Sequence, residues 1–278
     1  MIKQLGVVAL MAALLFAPRV VSAQSLPVQV NVSGNTVTAL VGNPASPLAE
    51  VNLVFDDVSN LSAANLGISA KLVNVDDPTI LTRLPNSTYN LLPSQLPLVI
   101  TIEPPANGGL SFRGIGYYEL HTHALPYAVG SSLRVFKAPL NGTFRDTTTA
   151  IVQGSVRARS QYTGFSQFIV LTDLRPTSQV VADKIAYLRS QVGYLPAAEQ
   201  PAFTNLIDAI STAYASKDYN GAIGYSDQLA SLARARAAAG AIGNEWRATR
   251  DVHNDAGEFI AGSATLDFSL AFLRDYGN

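Results

Sequence analysis

Apolar residues alternate with polar ones through the first half of the chain and recur every three or four positions through the second. In Val28-Gln29-Val30-Asn31-Val32 the valines fall on one side of an extended backbone and the amides on the other, the period-two pattern of a strand with one buried face. Ala49–Phe55 repeats it, with Val51, Leu53 and Phe55 opposite Asn52 and Val54. The same reading predicts strands over Thr36–Val41, Ile68–Val73, Leu98–Ile102, Gly116–His123, Ser132–Phe136, Thr149–Arg159 and Gly164–Leu171. Turn formers such as Ser33-Gly34-Asn35, Gly42-Asn43-Pro44 and Asn141-Gly142 separate them. Ala63–Gly67 and Pro85–Pro97 read as loops or short helical excursions. Short strands without long helices between them favour an antiparallel, Ig-like β-sandwich over an α/β fold.

The period changes near Pro176. Thr177 or Ser178 is placed to cap a helix carrying Val181, Ile185, Leu188, Val192 and Leu195, which Pro196 ends. A second helix from about Ala198 carries Phe203, Leu206, Ile207, Ile210 and Tyr214. Asp218 caps a third with Ala222, Leu229 and Ala233. A fourth is expected from Asn244 with Trp246, Thr249, His253, Ala256 and Ile260, then a break near Gly262 and a last helix bearing Leu266, Leu270 and Leu273. Such stripes need partners, and short connections argue an antiparallel bundle of four or five helices with Trp246 as its plug. The expected organisation is thus α+β: a sandwich over 24–174 and a helical bundle over 177–278.

Residues 1–23 read as a signal peptide. Lys3 supplies the positive start, Leu5–Phe16 the apolar run, and Val21-Ser22-Ala23 the small-residue cleavage pattern. The run of about 12 residues falls short of the roughly 20 that cross a bilayer as a helix, and no later run approaches that length. Cleavage after Ala23 leaves a secreted or periplasmic product without a transmembrane span. It removes Lys3 and Arg19, taking the formal charge from -1 to -3, and both Met residues, Met1 and Met11.

Composition narrows the chemistry. Nineteen basic against 20 acidic side chains argue against nucleic acid, which concentrated positive charge recognises. The absence of Cys excludes disulfides, thiolate metal sites and cysteine nucleophiles. No HExxH, Gly-x-Ser-x-Gly or phosphate-binding Gly-rich motif is present.

Two groups of segments carry a resemblance. Tyr118-Glu119-Leu120-His121-Thr122-His123, Leu133–Pro139 and Gly164–Phe168 resemble the sandwich part of uncharacterised secreted bacterial proteins. Tyr214–Ala241, with Lys217-Asp218-Tyr219 and Ala222-Ile223, is similar to helical bundle modules appended to bacterial surface proteins and extracellular enzymes. That likeness implies an accessory module for attachment or spacing and supplies no catalytic residue.

Four sets of side chains are candidates for chemistry. Glu119, His121 and His123 share one face of a predicted strand, where two imidazoles and a carboxylate would suit zinc or copper; the plainer reading is a solvent-facing strand. Asp56-Asp57 and Asp76-Asp77 offer carboxylates for calcium, although Asp also favours turns for its own hydrogen bonds. Arg157 and Arg159, near Tyr162 and Phe165, would form an anion or glycan platform, against a merely solvated edge. His253 is expected on an apolar stripe, donating a ring hydrogen to a carbonyl or an Asp. The reading that follows is an extracytoplasmic binding or structural module without catalytic activity or an obligatory cofactor, recognising an envelope protein or a glycan. The alternative is a metal-assisted hydrolase built on Glu119, His121 and His123.

Overall fold

The computed structural model describes residues 23–153 and 155–278, so the expected signal peptide, Ala23 apart, lies outside the described residues. The chain opens with strands β1 (Gln24–Leu26), β2 (Val28–Ser33), β3 (Thr36–Asn43) and β4 (Ser46–Ser59). A one-turn helix α1 (Ala63–Leu66) precedes β5 (Ile68–Leu72), and a second short helix α2 (Pro78–Leu81) precedes β6 (Asn90–Leu91) and β7 (Leu98–Ile102). Then come β8 (Ser111–Thr122), β9 (Leu133–Ala138), β10 (Arg145–Asp146), β11 (Thr148–Val152), β12 (Val156–Tyr162) and β13 (Gln167–Asp173). The remainder holds α3 (Thr177–Gln191), α4 (Gln200–Ala215), α5 (Tyr219–Ala238), β14 (Glu245–Arg247) and α6 (Asp255–Tyr276).

The strands form two antiparallel sheets. The first runs β1-β5-β7-β13-β9-β10 with β6 beside β13, and the second β11-β12-β8-β4-β3-β2 with β14 beside β8. The alternation of Val51, Leu53 and Phe55 against Asn52 and Val54 turns the first three inward, where they meet Leu98, Ile100, Val135 and Phe168 of the opposite sheet. Tyr118 and Phe168 stack across this core at 4.3 Å. The excursion between β5 and β7 covers the outer face of the first sheet, laying Ile80, Leu84 and Leu92 on Phe136, Ile169 and Leu171. The fold is therefore α+β, an antiparallel sandwich followed by packed helices.

Three local expectations are corrected. Thr149–Arg159 is a hairpin, β11 and β12, rather than one strand. The helix expected from Asn244 does not form: Glu245–Arg247 is β14, and Trp246 pairs with Phe112 and packs inside the sandwich, not the bundle. Finally, α6 runs unbroken through Gly262. A Cβ there would sit 2.6 Å from Leu188 Cδ2, so this glycine lets α6 approach α3 closely instead of ending the helix.

The helical stripes otherwise pack as their spacing requires, with Val181, Leu188, Phe203, Ile207, Leu229 and Leu266 in one core. Ile115 joins them from β8. A bulge lies beside it: the β4–β8 register shifts between Phe55 and Asp57, and Gly114 takes φ +73°. Ile115 has the same outward parity as Arg113, Tyr117 and Glu119, opposite Phe112 and Tyr118, and at this end of β8 that outer face meets the helices.

Candidate functional site

The outer face of the second sheet is an ordered polar grid, because strands with one buried face send every second residue outward in register. Thr38, Asn52, Glu119 and Arg159 lie side by side across β3, β4, β8 and β12. Leu40, Glu50, His121 and Arg157 form the next row, and Thr36, Val54, Tyr117 and Gln161 the row on the other side. Arg157 Nη1 donates to Glu119 Oε1 at 2.8 Å and Arg159 Nε to Oε2 at 2.6 Å. Partial burial works to raise the Glu119 pKa, but the hydrogen bonds from Arg159 and Arg157 outweigh it and hold the carboxyl below its ordinary value. Thr38 Oγ1 donates to Asn52 Oδ1 at 2.9 Å, and Asn52 Nδ2 to Glu50 Oε1 at 2.7 Å. Tyr117 and Val54 are each 41% exposed. With Thr36, Asn52, Glu119 and Arg159 they line a hollow of about 470 Å³.

Glu119, His121 and His123 do share this face, as their parity predicts. His121 and His123 have ring centroids 5.1 Å apart, and His121 Nε2 lies 2.5 Å from Ser155 Oγ. Both Glu119 oxygens, however, are turned to the arginines. Among the described residues, no three His, Asp or Glu side chains are grouped so as to hold a metal ion. The Asp pairs serve local structure. Asp77 Oδ1 accepts from Thr79 N at 2.9 Å and caps α2, while the Asp76 N–H donates to Asn74 Oδ1 at 3.2 Å. Asp56 and Asp57 flank the β4 side of the bulge, where Asp57 pairs with Arg113. Tyr162 and Phe165 are buried in the sandwich core, on the side of the sheet away from Arg157 and Arg159, so the four residues do not form one platform. The aromatic beside the arginines is Tyr117, whose shared parity with Glu119 was the signal for it. His253 sits off the helices, its Nδ1 2.6 Å from Asp255 Oδ1 and its ring stacked on Tyr194. The Asp255 hydrogen bond raises its pKa.

A second concentration of chemistry lies where the helices meet the sandwich. Lys184 Nζ donates to Thr265 O, Thr265 Oγ1 and Ser269 Oγ at 2.9, 2.7 and 2.8 Å and stands 2.7 Å from Asp146 Oδ2. Burial works to raise the Asp146 pKa, and the Lys184 and Arg134 charges reverse it and keep the carboxylate ionised. Arg175 forks onto Asp173, with Nη2–Oδ2 at 2.7 Å, and reaches Asp183 with Nη1 at 3.0 Å. Arg134 lies over the Phe268 and Phe272 rings at 5.0 and 4.4 Å. Glu258 of α6 receives hydrogen bonds from Thr163 and Tyr187 and an ion contact from Arg145 at 3.2 Å. Burial pulls the nearby Lys137 ammonium down to about 8. Arg134, Lys137, Arg145, Arg175 and Lys184 thus face Asp146, Asp173, Asp183 and Glu258, an excess of one positive charge at a partly buried seam.

A family model described as a family of unknown function, DUF6689, matches residues 10–274. No curated protein and no solved structure matches the chain.

Proposed function

We propose that this chain, which belongs to the family of unknown function DUF6689, is an extracytoplasmic, non-catalytic binding module that holds a glycan on the open face of its second sheet. The observation that carries this reading is Tyr117 beside the Glu119–Arg159 pair in one hollow of about 470 Å³. A sugar ring presents an apolar face and a rim of hydroxyls. An exposed phenol ring takes the first, and fixed carboxylate, amide and guanidinium groups take the second. Glu119 is already clamped by two arginines, so binding would freeze few further rotamers. The address written in residues 1–23 supports placing this face outside the cytoplasm, where envelope glycans and envelope proteins are the available partners.

Screening the purified protein on an array of bacterial and plant polysaccharides, followed by titration of the best ligand, tests the reading. Tyr117→Ala and Arg159→Ala should each weaken binding by about tenfold or more, equivalent to ~1.4 kcal/mol, without lowering the melting temperature. Failure of every glycan to bind, or binding indifferent to both substitutions, would overturn it. An envelope protein captured through the same two residues would replace the glycan as the partner.

A further inference from the structure

The seam between sandwich and helices contains a cavity that its ion pairs do not fill. Its volume is about 230 Å³, and Pro85, Val180, Gly262 and the Tyr187 ring give it a largely hydrocarbon wall. The Asp146–Lys184 pair closes the floor, with side chains only 2% and 8% exposed. Asp183 and Arg145 mark the mouth, their side chains 54% and 31% exposed. At ~30 Å³ for each water, the space holds about seven or eight waters, or an organic molecule of about that many heavy atoms.

The cations around this cavity differ in what they have left to give. Lys184 directs its three protons at Thr265 and Ser269, and Arg175 is spread over Asp173 and Asp183. Among the described residues Arg145 has a single ion contact, Nη2 to Glu258 at 3.2 Å, and Glu258 is already shared with Thr163 and Tyr187. Its Cζ lies 4.1 Å from the centre of the Tyr187 ring, a cation–π contact that holds the guanidinium at the mouth.

We propose that this cavity is a binding site for a small organic carboxylate, its carboxyl group on Arg145 and its short hydrocarbon or aromatic body against Val180 and Pro85. A sugar would find too few free donors and acceptors on such a wall, and a cation would meet the seam's excess positive charge. Inorganic phosphate would leave the hydrocarbon wall wet. The site is separate from the sheet face and does not depend on glycan binding there.

Titration calorimetry of the whole protein with hexanoate and with benzoate, alongside inorganic phosphate and hexylamine, tests this. One equivalent of carboxylate should bind, and Arg145→Gln should weaken it about tenfold or more. Asp183→Asn, at an exposed position whose loss does not threaten the fold, should tighten binding several-fold by removing a carboxylate from the mouth that repels the ligand's own. Tyr117→Ala, which disables the proposed glycan face, should leave carboxylate binding unchanged. The proposal fails if neither carboxylate saturates the protein, if phosphate or hexylamine binds as well as hexanoate, or if Asp183→Asn leaves the affinity where it was.

Discussion

Trp246 stacks on Phe112 with ring centroids 5.3 Å apart and planes 26° from parallel. The two residues are register partners in β14 and β8, so the one tryptophan of the chain closes the sandwich core from the far end of the sequence. Phe165 meets the same indole edge-on at 5.2 Å, and Gly164 passes so close that a Cβ there would lie 2.6 Å from the ring.

Trp246→Ala should therefore cost roughly 3–5 kcal/mol, and the damage should fall on the sandwich. Native tryptophan emission should be blue-shifted and move red on unfolding. Chemical denaturation followed by fluorescence of the native protein and by far-UV dichroism of both proteins checks this. A variant as stable as the parent would mean the indole is not in the core.

Lys184→Met should destabilise the protein by about 3–5 kcal/mol, because it leaves buried Asp146 without its contacting cation, only the Arg134 charge remaining to offset it. Combining it with Asp146→Asn should recover much of the loss. Denaturant midpoints of the single and double variants give the answer, and additive losses would show that the two groups do not interact.

Asp267 makes stability depend on pH. Burial between α5 and α6 pushes its carboxyl up to about 7, the hydrogen bond from Ser226 partly offsets this, and Asp227 adds like charge. One of its oxygens is buried without a hydrogen-bond partner among the described residues. A carboxyl with a raised folded pKa binds its proton more tightly in the native state, so its contribution falls as pH rises from about 4 to about 7 and is flat above that. Asp267→Asn should remove this slope and stabilise the protein at pH 8 by on the order of 2 kcal/mol. Melting temperatures of both proteins between pH 4 and 8 measure it; parallel curves would disprove the assignment.

Strand alternation and helical stripes were legible because each is a local repeat tied to one buried face. Val51, Leu53 and Phe55 all face the core, and Leu188, Ile207 and Leu229 all enter the helical core. The Asn244–Ile260 segment misleads because Trp246, Ala256 and Ile260 are all buried, yet they serve different cores, and a helical period read through them spans a strand and a loop. The bulge at Gly114 is equally hidden: Ile115 keeps the outward parity of Tyr117, and the alternation breaks instead on β4, where Phe55 and Val58 both turn toward the core. On the site, parity placed Glu119, His121 and His123 on one face. It could not show that Arg157 and Arg159, from a strand 38 to 40 positions away, would take both carboxylate oxygens. The charged seam left one trace, a lysine at position 184 set among Val181, Ile185 and Leu188 on an apolar stripe.

The late position of β14 also governs timing. A polypeptide emerges from the ribosome N-terminus first, so β8 is finished long before its last neighbour exists. Asn254, whose Nδ2 bonds the Gly114 carbonyl at 2.7 Å, lies 140 positions further along. Until that stretch arrives, the first residues of β8 carry an unpaired edge and Phe112 an uncovered ring, the condition under which strands of neighbouring copies associate. Closing so distant a contact belongs to the slow end of folding. A translation product that stops short of residue 245 keeps that edge open for good and also lacks α6, so the sandwich edge and the helical core stay exposed together.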